Sequence, residues 1–220
     1  MNSTVNRKPV VCYVTDRCAL TIGSDAEVQD ALLQRVRNAA AAGVDWIQLR
    51  EKDLDARSLM RLAVAAISAA RKENVATAIV VNDRLDIAWA ARAAGVHLGE
   101  TSLPVNRVVS SKRLSDETNF LIGVSCHSLR AAAEAERDGA DYVFFGPVFD
   151  TPSKVSFGPS QGLNRLAAVA SAVSIPVLAI GGITTSNARS CLDAGAAGIA
   201  AIRMFQGDDE LKTLLATIRR

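Results

Sequence analysis

The sequence predicts a single closed (β/α)8 TIM barrel occupying residues 1–220, and three observations carry that expectation. Four times a small-residue helix end runs through glycine into an apolar stretch: Gly43 before VDWIQL, Gly95 before VHLG, Gly139 before ADYVFFG and Gly195 before AAGIAAI. Glycine just past a helix is the usual left-handed cap, and an apolar run directly after it reads as a buried parallel strand. The junctions are roughly evenly spaced, so two βα units per repeat give the eight that close a barrel. Finally, no G-x-G-x-x-G follows the first apolar run, which removes the main cue for a doubly wound sheet.

The elements follow in alternation. VVCYVTD (10–16) is the first strand, and Val28, Leu32, Val36 and Ala39 recur at helical spacing through a helix over 26–42. VDWIQLR is the second strand, followed by a helix over 56–73; TAIVV (77–81) is the third, followed by a short helix in DIAWAARAA. VHL is the fourth strand, with a helix over 104–114 after it. FLIGVS (120–125) is the fifth, with Ser128 as N-cap of the next helix. DYVFFG is the sixth, separated by a long loop from a helix over 162–173. IPVLAI (175–180), a helix from 185, GIAAI and a helix over 208–219 complete the pattern, with no domain boundary.

Composition narrows the function classes. A 49% hydrophobic content buries a substantial core, and a net charge of +2 spread along the chain argues against nucleic acid as a partner. No uncharged apolar stretch approaches membrane-spanning length, and the start does not resemble a signal peptide. Cys12, Cys18, Cys126 and Cys191 lack metal-type spacing and read as reduced thiols of a cytoplasmic protein.

Polar residues gather where strands end. Along VDWIQLREK, strand alternation sets Gln48, Arg50 and Lys52 on one side and Ile47 and Leu49 on the other. Strand three runs into Asn82 and Asp83, which either cap the next helix or offer a carboxylate and an amide to a hard cation such as Mg2+. Strand four reaches His97, a core histidine or a site residue, and Glu100; strand five reaches Ser125 and His127. After VFFG, some seventeen residues rich in glycine, proline and hydroxyls include Thr151, Ser153 and Lys154, which make either a surface loop or an anion-binding loop. Gly181 and Gly182 at the next strand end expose backbone N–H groups where barrels commonly hold phosphate. No serine-histidine-acid or cysteine-histidine signature appears, so charge stabilisation fits this rim better than a protein nucleophile.

Tyr13-Val14-Thr15-Asp16, Gln48-Leu49-Arg50-Glu51-Lys52, Val81-Asn82-Asp83-Arg84, Val96-His97-Leu98-Gly99, Gly123-Val124-Ser125, Gly146-Pro147-Val148-Phe149 with Thr151-Pro152-Ser153-Lys154, and Gly181-Gly182-Ile183 occur in the order and spacing of a known family. The chain resembles the thiamine phosphate synthases over nearly its full length. The resemblance implies small-molecule substrates: hydroxymethylpyrimidine diphosphate condenses with thiazole phosphate by dissociative substitution, giving thiamine phosphate and pyrophosphate. It also implies roles. Gln48, Arg50, Lys52 and Asn82 would contact the pyrimidine diphosphate, with Mg2+ as cofactor on Asp83, while Ser125 and Lys154 hold the leaving pyrophosphate. Thr151, Ser153, the Gly182 amide and the backbone near Ile202 would bind the thiazole phosphate.

Two positions depart from the family pattern. Ser102 stands where a second magnesium aspartate is usual, with Glu100 as the candidate substitute, and Arg203 stands where a small hydroxyl residue is usual. A sister family, the thiazole tautomerases, shares the segment Ser125-Cys126-His127-Ser128 and uses the matching histidine as acid/base, so His127 carries an alternative isomerase reading. A third reading is a non-catalytic, precursor-binding barrel. A homo-oligomer is compatible with any of the three.

Overall fold

The computed structural model describes residues 8–20, 23–99, 101–114, 119–151, 159–206 and 211–219. Eight parallel strands close in sequence order: β1 (Val10–Val14), β2 (Trp46–Leu49), β3 (Ala78–Asn82), β4 (Gly95–Leu98), β5 (Leu121–Cys126), β6 (Tyr142–Phe145), β7 (Val177–Ile180) and β8 (Gly198–Ala201). Closure comes from β1 pairing with β8, Cys12 opposite Ala200. The helices between and after them are α1 (Asp25–Ala42), α2 (Ala56–Glu73), α3 (Leu85–Ala90), α4 (Val105–Leu114), α5 (Leu129–Arg137), α6 (Gly162–Ala172), α7 (Ala188–Asp193) and α8 (Leu211–Ile218).

Local chemistry sets the helix boundaries. Ser24 and Glu27 form a reciprocal capping box at the start of α1, Asp55 caps α2, and Ser128 accepts Ala131 N–H at 3.1 Å to start α5 as the sequence indicates. The small-residue stripe Leu59, Leu62, Ala63, Ala66, Ala69 and Ala70 is the buried face of α2. Outward-facing strand residues such as Val11, Ile47, Leu49, Val81 and Phe145 meet these helices in the main core. Inward-facing residues make a second cluster along the barrel axis: Cys12, Val14, Tyr142, Phe144, Leu178 and Ala200.

All four αβ junctions share one bond pattern. The residue two before each strand donates its N–H back five residues: Val44 to Ala39, Ala93 to Ala88, Ala140 to Ala135 and Ala196 to Cys191. The preceding residue is left-handed each time, with φ of 91° at Gly43, 96° at Gly139 and 94° at Gly195. At the second junction, however, that residue is Arg92 with φ 53°, not Gly95, which is the first residue of β4. The AAG repeat in the sequence is thus out of step by three residues there. Arginine carries a left-handed strain of about 1–2 kcal/mol that glycine avoids.

Correct alignment exposes an alternation. Junctions one and three continue into Asp45-Trp46 and Asp141-Tyr142; junctions two and four continue into Ala94-Gly95 and Ala197-Gly198. Each aspartate ties its strand start to the neighbouring strand: Asp45 accepts Val11 N–H at 2.8 Å and donates its own N–H to Val11 O, and Asp141 repeats this with Ile122. Trp46 and Tyr142 both point inward and meet with ring centroids 4.6 Å apart. The equivalent positions on β4 and β8 are glycine, and a side chain at Gly123 would overlap the Tyr142 ring. The Tyr142 ring fits the axis because position 123 beside it is empty.

Asp45 also accepts from Arg219 at 2.8 Å, so the last helix is clipped to the first junction. Replacing Asp45 by alanine leaves the Val11 N–H without its acceptor beside the seam. Unfolding by denaturant should show a loss of about 1–3 kcal/mol for Asp45→Ala, and a similar loss for Asp141→Ala.

Candidate active site

The carboxyl ends of the strands form one mouth, where βα connections of such barrels carry the chemistry. Directly above the Trp46–Tyr142 layer lie Gln48, His97, Phe144 and Ala200, each two residues further along an even strand and each at most 2% exposed. Two of these are polar, and burial obliges them to find partners. Gln48 donates through Nε2 to Asn82 Oδ1 at 2.8 Å, so two residues assigned to the pyrimidine diphosphate do meet. His97 lies beside Gly123 in the ladder, with Nδ1 3.1 Å from the Tyr142 hydroxyl and Nε2 2.9 Å from Ser125 Oγ. Its ring packs on Phe144 at 4.2 Å between centroids. His97 is therefore both a core histidine and a direct neighbour of a site residue.

Burial lowers the His97 pKa from 6.5 to about 3 and raises that of Tyr142, so both are neutral near neutral pH.

Arg50 and Lys52 part company. β2 stops at Leu49, Arg50 sits half-buried at the rim, and Lys52 is exposed on a turn, so strand alternation does not extend to it. The residue between them is the one that sequence reasoning passed over. Glu51 is buried at 5% exposure; its carboxylate accepts the Thr15 hydroxyl and the Arg17 N–H at 2.9 Å. The Thr15 hydroxyl in turn accepts the Arg50 N–H at 3.0 Å. This chain fastens the ends of β1 and β2 together and fixes the backbone from which Arg50 projects. Desolvation raises the Glu51 pKa, opposed by the hydrogen bonds from Thr15 and Arg17. Its only sequence signal was its place inside the quoted Gln48–Lys52 motif.

Asp83 follows β3 with φ 65°, its N–H bonded to His97 O at 2.8 Å, and its side chain is exposed. It does not cap α3: the N-cap position is Arg84, without a side-chain cap bond. Ser102 turns its hydroxyl onto the Gly99 N–H at 2.7 Å, closing a tight turn after β4. Among the described residues no group of three or more His, Cys, Asp or Glu side chains converges on a metal position. Glu100, Ser153 and Lys154 lie outside the described residues.

On the far side of the mouth, the segment after β6 lies along the end of β7: Val148 N–H bonds Ile180 O at 2.9 Å and Phe149 N–H bonds Gly181 O at 3.0 Å. His127 bonds the Gly146 carbonyl through Nδ1, tying the end of β5 to the same segment. Gly181 and Gly182 have φ of 93° and 67°. They are not at a helix start as the sequence suggests. α7 begins only at Ala188, because Asn187 folds back to accept Thr184 N–H at 2.8 Å and donate to Gly182 O at 2.9 Å. After Ile202, a 3₁₀ turn over Arg203–Phe205 brings Arg203 to the segment that follows β6, where Nη2 bonds Thr151 Oγ1 at 3.2 Å. The unusual arginine thus reaches a residue assigned to the thiazole phosphate.

Comparison with known proteins places the chain in a family and agrees with the fold. Residues 18–205 match the family model described as thiamine monophosphate synthase. A putative thiamine-phosphate synthase of Geobacter sulfurreducens is 45% identical over 179 residues, 81% of each chain. The thiamine-phosphate synthase of Methanoculleus marisnigri is 43% identical over 183 residues, 83% of this chain and 84% of that one. The solved thiamine phosphate pyrophosphorylase of Pyrococcus furiosus superposes with a TM-score of 0.79 at 32% identity, covering 98% of this chain and 96% of that one.

The depressed His97 pKa has a definite consequence for stability. The unfolded chain takes up a proton near pH 6.5 that the folded barrel refuses, so this residue's contribution is full above that value and is lost as pH falls toward 3. Unfolding free energies measured from about pH 7 down to about pH 4 should therefore fall less steeply for His97→Gln than for the parent protein.

Proposed function

The chain belongs to the thiamine monophosphate synthase family and is a thiamine-phosphate synthase, a transferase of thiamine biosynthesis; we propose that the residues around its barrel mouth divide the two substrates between them. The reaction joins hydroxymethylpyrimidine diphosphate to thiazole phosphate and releases pyrophosphate. The relatives favour this over the tautomerase reading. The observation that carries the division of labour is the pairing of Gln48 with Asn82, next in the ladder to His97 with its partner Ser125, a polar set on an otherwise apolar barrel floor.

In the proposed mechanism, Gln48 and Asn82 orient the pyrimidine, whose bond to the diphosphate oxygen breaks first. Arg50, Lys52, Ser125 and Lys154 meet the negative charge that builds on the leaving group, and the thiazole nitrogen then attacks the pyrimidine methylene cation. Such a step needs charge stabilisation at the departing oxygen more than it needs a base. Thr151, Ser153 and the Gly182 amide take the thiazole phosphate beside the Ile202 backbone. Arg203 adds a fork of donors suited to that phosphate.

The exposed Asp83 carboxylate, aligned by its backbone bond to β4, fits Mg2+ that arrives with the diphosphate, since magnesium is commonly held by one or two carboxylates plus substrate phosphates. When bound, it would neutralise diphosphate charge. With Ser102 committed to Gly99, the protein side of this site is one carboxylate poorer than the family pattern. No helix among the described residues is long and apolar enough to cross a membrane. The buried cysteines Cys12, Cys126 and Cys191 are not in disulfides, which supports a cytoplasmic setting.

Purified protein given both phosphorylated precursors and magnesium should form thiamine phosphate, followed by fluorescence after oxidation. Isomerisation of the thiazole without condensation would instead identify a tautomerase, and neither reaction would point to a binding barrel. Lys154→Ala should lower kcat by about 100-fold or more, while His127→Ala lowers it by less than about tenfold. Restoring the carboxylate in Ser102→Asp should lower the magnesium concentration giving half-maximal rate by about tenfold. An unchanged magnesium requirement would remove position 102 from the metal site.

A further inference from the structure

Among the described residues proposed to meet the leaving group, Ser125 has its hydroxyl held by a chain of buried partners. Its Oγ lies 2.9 Å from His97 Nε2, and His97 Nδ1 lies 3.1 Å from the Tyr142 hydroxyl. Each link has an inherent direction. The Tyr142 side chain is fully buried among Trp46, Phe144 and His97, and its phenol proton has one acceptor among the described residues, Nδ1 of His97. The reverse polarity would strand that proton in an apolar layer, which is costly. A neutral imidazole that accepts at Nδ1 must carry its proton on Nε2. Nε2–H then donates to Ser125 Oγ.

We propose that Tyr142 and His97 are positioning residues which polarise Ser125, so that its hydroxyl proton is reserved for the departing diphosphate oxygen. A free serine hydroxyl rotates among acceptors and donates in any direction. Here its lone pair is occupied from below by Nε2–H. The O–H is turned toward the mouth, and among the described residues Ser125 has no other hydrogen-bond partner to receive it. The donor is in place before charge develops, which is the arrangement that stabilises a transition state without reorganisation. The low basicity of His97 supports this, since a ring that stays neutral keeps a single tautomer across the physiological range. No proton is transferred: His97 and Tyr142 act through hydrogen-bond direction alone. The assignment rests on the synthase reading only for the identity of the acceptor above Ser125.

Two measurements test it. In ligand-free protein labelled with 15N-histidine, long-range 1H–15N correlations report which ring nitrogen carries the proton, and the chain has just two histidines. His97 should be a neutral Nε2–H tautomer; an Nδ1–H ring or an imidazolium overturns the proposal, whether or not the protein turns over substrate. The second measurement is a double-mutant cycle. Tyr142→Phe removes one oxygen and keeps the ring that fills the axis. It should lower kcat by about tenfold with KM changed by less than about twofold, and cause no further loss in a Ser125→Ala background. Equal losses in both backgrounds would mean that the phenol acts on the fold and not through Ser125.

Discussion

The space along the barrel axis is the constraint on which the rest of this structure depends. Eight strands enclose an interior just wide enough for side chains, and that interior must be filled. Here one layer is filled by two rings, Trp46 and Tyr142, in contact across the axis, while Gly123 gives up a side chain to admit the Tyr142 ring. The layer above inherits a dry floor. The polar groups standing on it have few partners beneath them, the Tyr142 hydroxyl under His97 being one, and Gln48 with Asn82, and His97 with Ser125, are the pairs formed beside and above. The orientation of the mouth thus follows from packing beneath it.

The rim is braced by a second set of contacts that do not touch the axis. Glu51 holds the ends of β1 and β2 through Thr15 and Arg17, and the segment after β6 is laced to the end of β7. A carboxylate buried to 5% exposure is expensive unless its oxygens are bonded, and both are. What the bonds secure is the backbone at Arg50. The proposed reaction relies on donors already in place, and these bonds hold the backbone from which one of the proposed donors, Arg50, projects.

Much of this was legible in the sequence, for physical reasons that also explain what was not. Buried parallel strands are continuous apolar runs and their helices end in left-handed residues, so the element order reads directly from VVCYV, WIQL, AIVVN and their successors. The misalignment at Gly95 arose because an arginine took the left-handed position, against the usual preference for glycine. The helix start expected beyond Gly182 gave way to a turn held by Asn187, a side-chain bond that spacing does not reveal. Strand alternation failed at Lys52 because β2 is short. Pairings such as His97 with Ser125 join strands twenty-eight residues apart in sequence and depend on register, which nothing local encodes.

The empty position at Gly123 also limits how such a barrel can change over generations. A methyl group there overlaps the Tyr142 ring, while a smaller residue at 142 opens a void against Trp46 and removes the phenol that His97 uses. Either step taken alone is penalised, whichever comes first. The two positions are therefore expected to vary together or not at all, and a lineage that keeps the tyrosine keeps the glycine across the ladder from it.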